Sequence, residues 1–289
     1  QIYAAAQALA AASNSVLGVL PQAANSVGAD VIGFKATNNA VNPVAALNGS
    51  QKAVMLLNIE PDMDWAGSEA AKQALVQAQT VIALTPFQSE SLRELADVML
   101  PVTPSTETSG SFVSMEGRLQ SFHGVVKPYA QSRPMWKVLR VIGNELDLDG
   151  FDYTSSEEVL ARACINSDSI VGKLNNQVQN VASTGLQAAS GLVRVGGVGI
   201  YQTDSVVRRS APLQATVHAA IPAASVHPKT LAALQLTDAA QVVVKSGAAS
   251  VLVAVVADES VAENVVSLPL HPQNKVLGAM NNAIELGRG

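Results

Sequence analysis

From residue 53 to residue 100 the chain alternates short, nearly unbroken apolar runs with stretches whose apolar positions recur at helical spacing. The apolar runs are Ala53 to Ile59, Thr80 to Leu84 and Val98 to Leu100. Continuous apolar strands belong to sheets covered on both faces. Between them, Ser68 is placed to cap a helix running to Ala78, and Ser89 to Ala96 reads as a second helix. Strands and helices alternating with short joints predict an α/β fold, a parallel-type sheet with flanking helices. Upstream, Tyr3 to Ala12 is an alanine-rich helix and Val16 to Leu20 a short strand. Gly28 to Phe34 reads as loop with a short strand, and Asn38 to Asn42 as loop.

The third apolar run stops at Pro101 and enters a loop almost free of bulk, with Thr103, Ser105, Thr106, Thr108, Ser109 and Ser111 around Glu107 and Gly110. Short hydroxyl side chains compete for backbone hydrogen bonds, so an irregular connection is expected. Phe112 and Val113 resume the apolar pattern, and Met115-Glu116-Gly117-Arg118 turns the chain again. Gly117, between a carboxylate and a guanidinium, suits a turn with positive φ flanked by an ion pair. Ligands of parallel sheets sit at the carboxyl ends of the strands. That rule puts Asn58 to Pro61, Thr85 to Phe87 and the Thr103 to Ser111 loop on one rim. The rim candidates for binding are Thr106, Glu107, Ser109, Gly110, Glu116, Gly117 and Arg118. Glu107, Glu116 and Arg118 suit an anion at the rim, or hydrogen bonds that pin the loop. No catalytic group is marked.

Pro134 opens a helix to about Leu146, in which Gly143 costs about 1 kcal/mol relative to alanine and so predicts close packing. Leu148 to Tyr153 is a loop, and Ser155 with Glu158 forms a capping box for a helix through Cys164. Cys164 falls on the apolar side of that helix with Leu160 and is expected to be buried packing. Residues 166 to 190 are polar and poor in pattern, the expected linker. Gly196-Gly197-Val198-Gly199 completes no phosphate-binding motif. Beyond Leu213, β-branched runs at Ala215 to Ala219, Val242 to Val244, Val251 to Val256 and Val265 to Leu268 surround a helix at Pro228 to Leu234. With turns at Ser246-Gly247 and Asp258-Glu259 they predict a small β-barrel. The expected division is an α/β domain over 1–165, truncated at its N-terminal side, a connecting segment over 166–212 and a barrel over 213–289.

Composition narrows the function classes. Charged residues make up 14% of the chain, below the roughly 25% of ordinary soluble domains. Either a partner covers part of the surface, or alanine inflates the apolar share. A net charge of −5 gives no electrostatic footprint for nucleic acid. No apolar run approaches the roughly 18–20 residues of a membrane helix, so no direct membrane insertion is expected. Gln1 to Ala12 lacks a signal-peptide pattern, and the chain is expected to begin part-way into a longer polypeptide. Cys164 is the only cysteine, whereas an iron–sulfur cluster ordinarily takes four thiolates or thiolates with histidines. His123, His218, His227 and His271 show no metal-ligand spacing, and Glu60, Asp62 and Asp64 read as solvated loop carboxylates.

ADVMLP followed by TETSGSFVSMEGRLQSF resembles the molybdopterin oxidoreductase superfamily. With FHGVVKP and SRPMWKVLRVIGNELDLDGFDYTSSEEV, the segment from Lys52 to Ala163 is most similar to the large iron–sulfur subunits of bacterial NADH-quinone oxidoreductase, the respiratory complex I. HPKTLAALQLTDAAQVVVKSG resembles the family's carboxyl-terminal dinucleotide-binding barrel, with Asp238-Ala239 in place of the usual Asp-Gly turn. Val198-Gly199-Ile200-Tyr201 resembles a further segment of those large subunits, with Gly199 where the family has proline. The resemblance implies a scaffold and partner surface for the other subunits of a peripheral arm, on the cytoplasmic side of the inner membrane. It implies no cofactor in this part, with molybdopterin absent and the iron–sulfur clusters held elsewhere in the full subunit. The alternative is the cofactor-binding half of an active molybdenum or tungsten oxidoreductase, in which the same rim faces the pterin.

Overall fold

The computed structural model describes residues 2–21, 23–34, 51–65, 68–163, 167–175, 191–278 and 280–289. The chain forms two compact units, Gln1–Val41 with Pro101–Gln187, and Asn42–Leu100 with Ala188–Gly289. The α/β sheet therefore groups with the carboxyl-terminal barrel, a different partition from the expected 1–165, 166–212 and 213–289.

The sheet contains β1 (Ala53–Leu57), β2 (Thr80–Thr85) and β3 (Val98–Pro101), in the order β1-β2-β3. β1 and β2 pair in parallel, from Ala53 opposite Thr80 to Leu57 opposite Leu84. The helices Ser68–Val76 and Glu90–Leu95 bring Leu75 and Leu92 onto Leu56, Val81 and Ala83, all nearly sealed from solvent. Ser89 caps the second helix, its Oγ accepting from Leu92 N–H at 3.3 Å. The parallel-type α/β fold follows from this local alternation.

In the other unit, β4 (Gly110–Val113) and β5 (Leu119–Phe122) form an antiparallel hairpin with Gly110 opposite Phe122. The helix Ile2–Ser13 forms where expected, but Val16 to Leu20 joins no sheet, and Val16 stays 90% exposed. Among the described residues no strand pairs with this apolar run. Gly28 to Phe34 is not loop and strand, because the helix Ser26–Val31 occupies most of it. Gly143, in the helix Met135–Glu145, lies so close to Phe151 that a Cβ there would fall 2.2 Å from Phe151 Cδ1. Ser155 caps the helix Ser156–Arg162, while Glu158 Oε2 accepts from Thr154 N–H at 2.7 Å. The polar stretch expected as linker contains the helix Ser167–Val171, whose Ile170 is fully buried. Cys164, Asn38 to Asn42 and residues 176–190 lie outside the described residues.

The remaining strands, β6 (Leu192–Val195), β7 (Ala224–Val226), β8 (Gln241–Ser246), β9 (Ala249–Ala257), β10 (Val265–Ser267) and β11 (Ala283–Arg288), close a barrel in the order β10-β6-β11-β8-β9-β7. Its core is aliphatic, built on Val226, Leu231, Val242, Val244, Val266 and Leu268. The barrel takes in β6, upstream of the boundary expected at 213. Val217–Ala219, expected within a strand, is a 3-10 turn. Among the described residues no helix is long and apolar enough to cross a membrane.

Candidate functional site

The carboxyl end of β1 is where the sheet places its most buried charge. Asn58 takes a positive φ of 55° and its N–H donates to Leu84 O at 2.8 Å, which turns the chain out of the sheet edge. Glu60 follows with its side chain only 4% exposed. Arg209 grips it with both arms, Nη1 to Oε1 at 2.9 Å and Nη2 to Oε2 at 2.7 Å. Arg208 Nη2 donates to Glu60 Oε1 at 3.1 Å and Nη1 to Asp64 Oδ1 at 2.6 Å. Burial pushes the Arg208 guanidinium down, but Asp64 and Glu60 outweigh it and hold it above its ordinary value. Arg209 also stacks on Phe87, at the end of β2, 4.2 Å from the ring centroid. The arginines sit on a segment that Gln214 secures by donating from Nε2 to Tyr201 O and Val207 O at 3.0 and 3.1 Å.

Asp62 continues the network. Ser91 donates to its carboxylate, and Lys275 Nζ lies 3.3 Å away. Burial raises the Asp62 carboxyl, but Ser91, Lys275 and its own backbone N–H together leave it below its ordinary value. Three carboxylates, Glu60, Asp62 and Asp64, meet three cations, Arg208, Arg209 and Lys275, so the charges cancel. Read as solvated in the sequence, these carboxylates are ion-paired, because their partners lie more than 140 positions along the chain. A reciprocally paired cluster like this fixes geometry and has no free acid or base to offer a substrate.

The seven rim candidates fall in the other unit and do not converge. Thr106 gives its carbonyl to the Val125 and Val126 N–H groups at 2.9 and 3.3 Å. Glu107 Oε2 accepts from Tyr129 N–H at 2.9 Å, so this carboxylate does pin a loop. Ser109 accepts weakly from Thr108 Oγ1 at 3.3 Å, and Gly110 packs under Phe122. Gly117 has the expected positive φ, 83°, and a Cβ there would stand 2.3 Å from Leu174 Cδ1. Glu116 and Arg118 are exposed, and their side chains form no ion pair among the described residues. Solvent competes for both at a hairpin tip, and among the described residues Arg118 meets no carboxylate to pin.

His227 and His271 stand at turns, as the prolines that follow them predict. His227 Nδ1 accepts from Lys229 N–H at 3.0 Å and His271 Nδ1 from Gln273 N–H at 3.2 Å, both as turn caps. Among the described residues no group of His, Cys, Asp and Glu is placed to hold a metal ion. The barrel buries a charged residue that sequence reasoning missed, Arg194 on β6, whose side chain is sealed from solvent. Its guanidinium donates to Leu268 O at 3.0 Å, Asn274 Oδ1 at 2.8 Å, and Pro269 O and Gly278 O at 3.4 Å. Burial without a carboxylate partner pushes its ionisation below the ordinary arginine value.

Comparison with known proteins places these two parts in one family. The profile of the molybdopterin oxidoreductase family matches residues 1–145, and that of the molydopterin dinucleotide binding domain matches residues 192–286. A formate dehydrogenase-like protein of Staphylococcus aureus is 38% identical over 65 residues, which is 22% of this chain and 6% of that protein. The NADPH-Fe(3+) oxidoreductase subunit alpha of Geobacter sulfurreducens is 31% identical over 98 residues, 34% of this chain and 12% of that one. Acetylene hydratase from Pelobacter acetylenicus shares the fold, with a TM-score of 0.55 and 15% identity over 80% of this chain and 39% of that chain.

These matches overturn the expectation of no cofactor and of molybdopterin absent, since both stretches fit domains defined by that group. Among the described residues three buried side-chain polar atoms have no hydrogen-bond partner, Thr103 Oγ1, Trp136 Nε1 and Arg208 Nε. Of these, the buried Thr103 hydroxyl opens the hydroxyl loop after β3. That hydroxyl is one neutral donor and acceptor that would hold a polar group of such a cofactor. Such a cofactor brings a metal-based redox centre that the side chains alone do not provide. Matched over half its length by the first profile and over its barrel by the second, this chain belongs to the molybdopterin oxidoreductase family.

Proposed function

We propose that this chain is part of a protein similar to the large iron–sulfur subunit of bacterial NADH-quinone oxidoreductase, in a complex passing electrons from NADH through iron–sulfur clusters to quinone. The observation that carries this reading is the closed Glu60–Arg208–Arg209–Asp64 cluster at the sheet rim. Its charges are spent on one another, so it serves as a frame that holds surfaces in fixed register. The resemblance running from Lys52 to Ala163 supports the same assignment. With one cysteine in the chain, the clusters would be ligated elsewhere in the subunit. Partners are the other subunits of the peripheral arm, and the place is the cytoplasmic face of the inner membrane.

The test is made in the organism that produces this chain. Arg208→Ala with Arg209→Ala should lower the amount of assembled complex while NADH:quinone turnover per complex stays unchanged. Full assembly of an NADH-oxidising complex after deletion of this whole segment would sink the reading.

A second reading, the cofactor-binding half of a molybdenum or tungsten oxidoreductase, is favoured by the unpartnered Thr103 hydroxyl. Stoichiometric molybdenum or tungsten in the purified intact subunit, lost together with pterin in Thr103→Val, would support it over the first.

A further inference from the structure

Residues 123–131 form a run in which nearly every residue is exposed, yet several are apolar. Val125 is 83% exposed, Val126 56% and Tyr129 81%. The run is nevertheless tied down along its backbone. Val125 and Val126 N–H donate to Thr106 O, Tyr129 N–H donates to Glu107 Oε2, and Ser132 Oγ–H donates to Tyr129 O at 2.6 Å. At Gly124 the loop backbone passes so close that a Cβ would stand 3.0 Å from the Glu107 carbonyl carbon. An apolar ridge fixed in the exposed position has the character of an interaction site.

Beside the ridge lies an open hollow of about 670 Å³, whose charged walls are Glu107, Lys127, Arg133 and Lys137. Three cations therefore face one carboxylate, and that carboxylate already accepts from Tyr129 N–H, in a chain whose net charge is −5. Lys127 has no ion-pair partner among the described residues. Among the described residues Arg133 Nη1 donates to the neighbouring Ser132 O, and the Lys137 ammonium lies 5.2 Å from the Trp136 ring centroid.

We propose that this hollow and its ridge dock an acidic segment of a partner protein, its carboxylates on Lys127, Arg133 and Lys137 and its apolar side chains on Val125, Val126 and Tyr129. A small anion would use the cations but leave the ridge bare, whereas a polypeptide uses both. Opposite charge across such a contact steers encounter and fixes register. The surface is independent of the respiratory-complex reading and holds for any oxidoreductase the chain serves.

The probe is a synthetic peptide of alternating glutamate and leucine, titrated into the full chain and followed by calorimetry. Binding should weaken about tenfold with Lys127→Glu plus Lys137→Glu, with circular dichroism unchanged, and weaken again as salt shortens the screening length. Val125→Ser with Tyr129→Ser should weaken it separately. Absence of binding to the folded chain overturns the proposal, as does binding that the charge reversals leave unchanged. Tripolyphosphate that binds equally well, with the ridge variants silent, reassigns the hollow to a small anion. Peptide binding by this chain that disappears in the longer native subunit shows the surface covered in cis, and likewise overturns it.

Discussion

Arg209 holds Glu60 through two hydrogen bonds of 2.9 and 2.7 Å while its guanidinium lies 4.2 Å from the Phe87 ring centroid. Glu60 and Phe87 follow the ends of neighbouring parallel strands, so one side chain ties two strand ends to a segment almost 150 positions away. Glu60→Gln keeps the shape and removes the charge, leaving two guanidinium groups without their shared carboxylate. Breaking one partner of a buried pair costs about 3–5 kcal/mol. Arg209 is partly exposed and water compensates it, so we expect about 3 kcal/mol. Urea denaturation of the chain should show a lower midpoint with an unchanged slope.

The neighbouring carboxylate sets a pH dependence. Asp62 titrates below its ordinary value when folded, held by Ser91 and Lys275 against the opposing effect of burial. A group depressed on folding contributes stability above its unfolded pKa and loses it as pH falls through the folded value. Stability should therefore decline on the acid side, beginning near the ordinary aspartate value of about 4. Asp62→Asn should flatten that limb and lower stability at neutral pH. An unchanged acid limb in this variant, measured by thermal unfolding across pH, would assign the decline to other carboxylates.

Gly117 and Arg118 are neighbours with opposite expectations. At Gly117 the φ of 83° and the nearby Leu174 and Ile170 leave no room for a β-branched side chain. Gly117→Val should destabilise by at least about 1–3 kcal/mol through backbone strain and overlap. Arg118→Ala removes an exposed side chain without an ion pair and should stay within about 0.5 kcal/mol. A large loss in Arg118→Ala, measured by differential scanning calorimetry, would restore the pinning role expected from the sequence.

What was legible in the sequence is what local chemistry dictates. β1, β2 and the helix Glu90–Leu95 follow from apolar runs and the Ser89 cap, and Gly143 announced its contact with Phe151 by being glycine inside a helix. The Gly117 turn was readable because few other residues tolerate that φ. The candidate site was not readable, because Glu60 looks like any loop carboxylate until the fold brings Arg208 and Arg209 to it. Strand β6 escaped for a similar reason: Arg194 breaks its apolar run, and only the carbonyls of distant Leu268, Pro269 and Gly278 make that arginine a core residue. Val16 to Leu20 shows the converse, a strand pattern that no strand among the described residues pairs with.

Arg194 offers the sharpest separation of charge from geometry. Its donors meet three carbonyls and the Asn274 amide oxygen, and Asn274 itself donates to Pro269 O at 2.9 Å and accepts from His271 N–H at 2.9 Å. The guanidinium is therefore a planar pin through the loop that follows β10. Lysine carries the same charge but cannot spread its donors over acceptors on several sides. Arg194→Lys should leave at least one buried carbonyl unpaired, at about 1–3 kcal/mol for each. Arg194→Met removes the buried charge along with the donors, which offsets part of that loss because the cation has no carboxylate to neutralise it. Lysine should thus be no better than methionine, and both should lower the unfolding midpoint and speed amide exchange at residues 270–278. A lysine variant as stable as the parent would mean that charge, not the fork of donors, holds the loop.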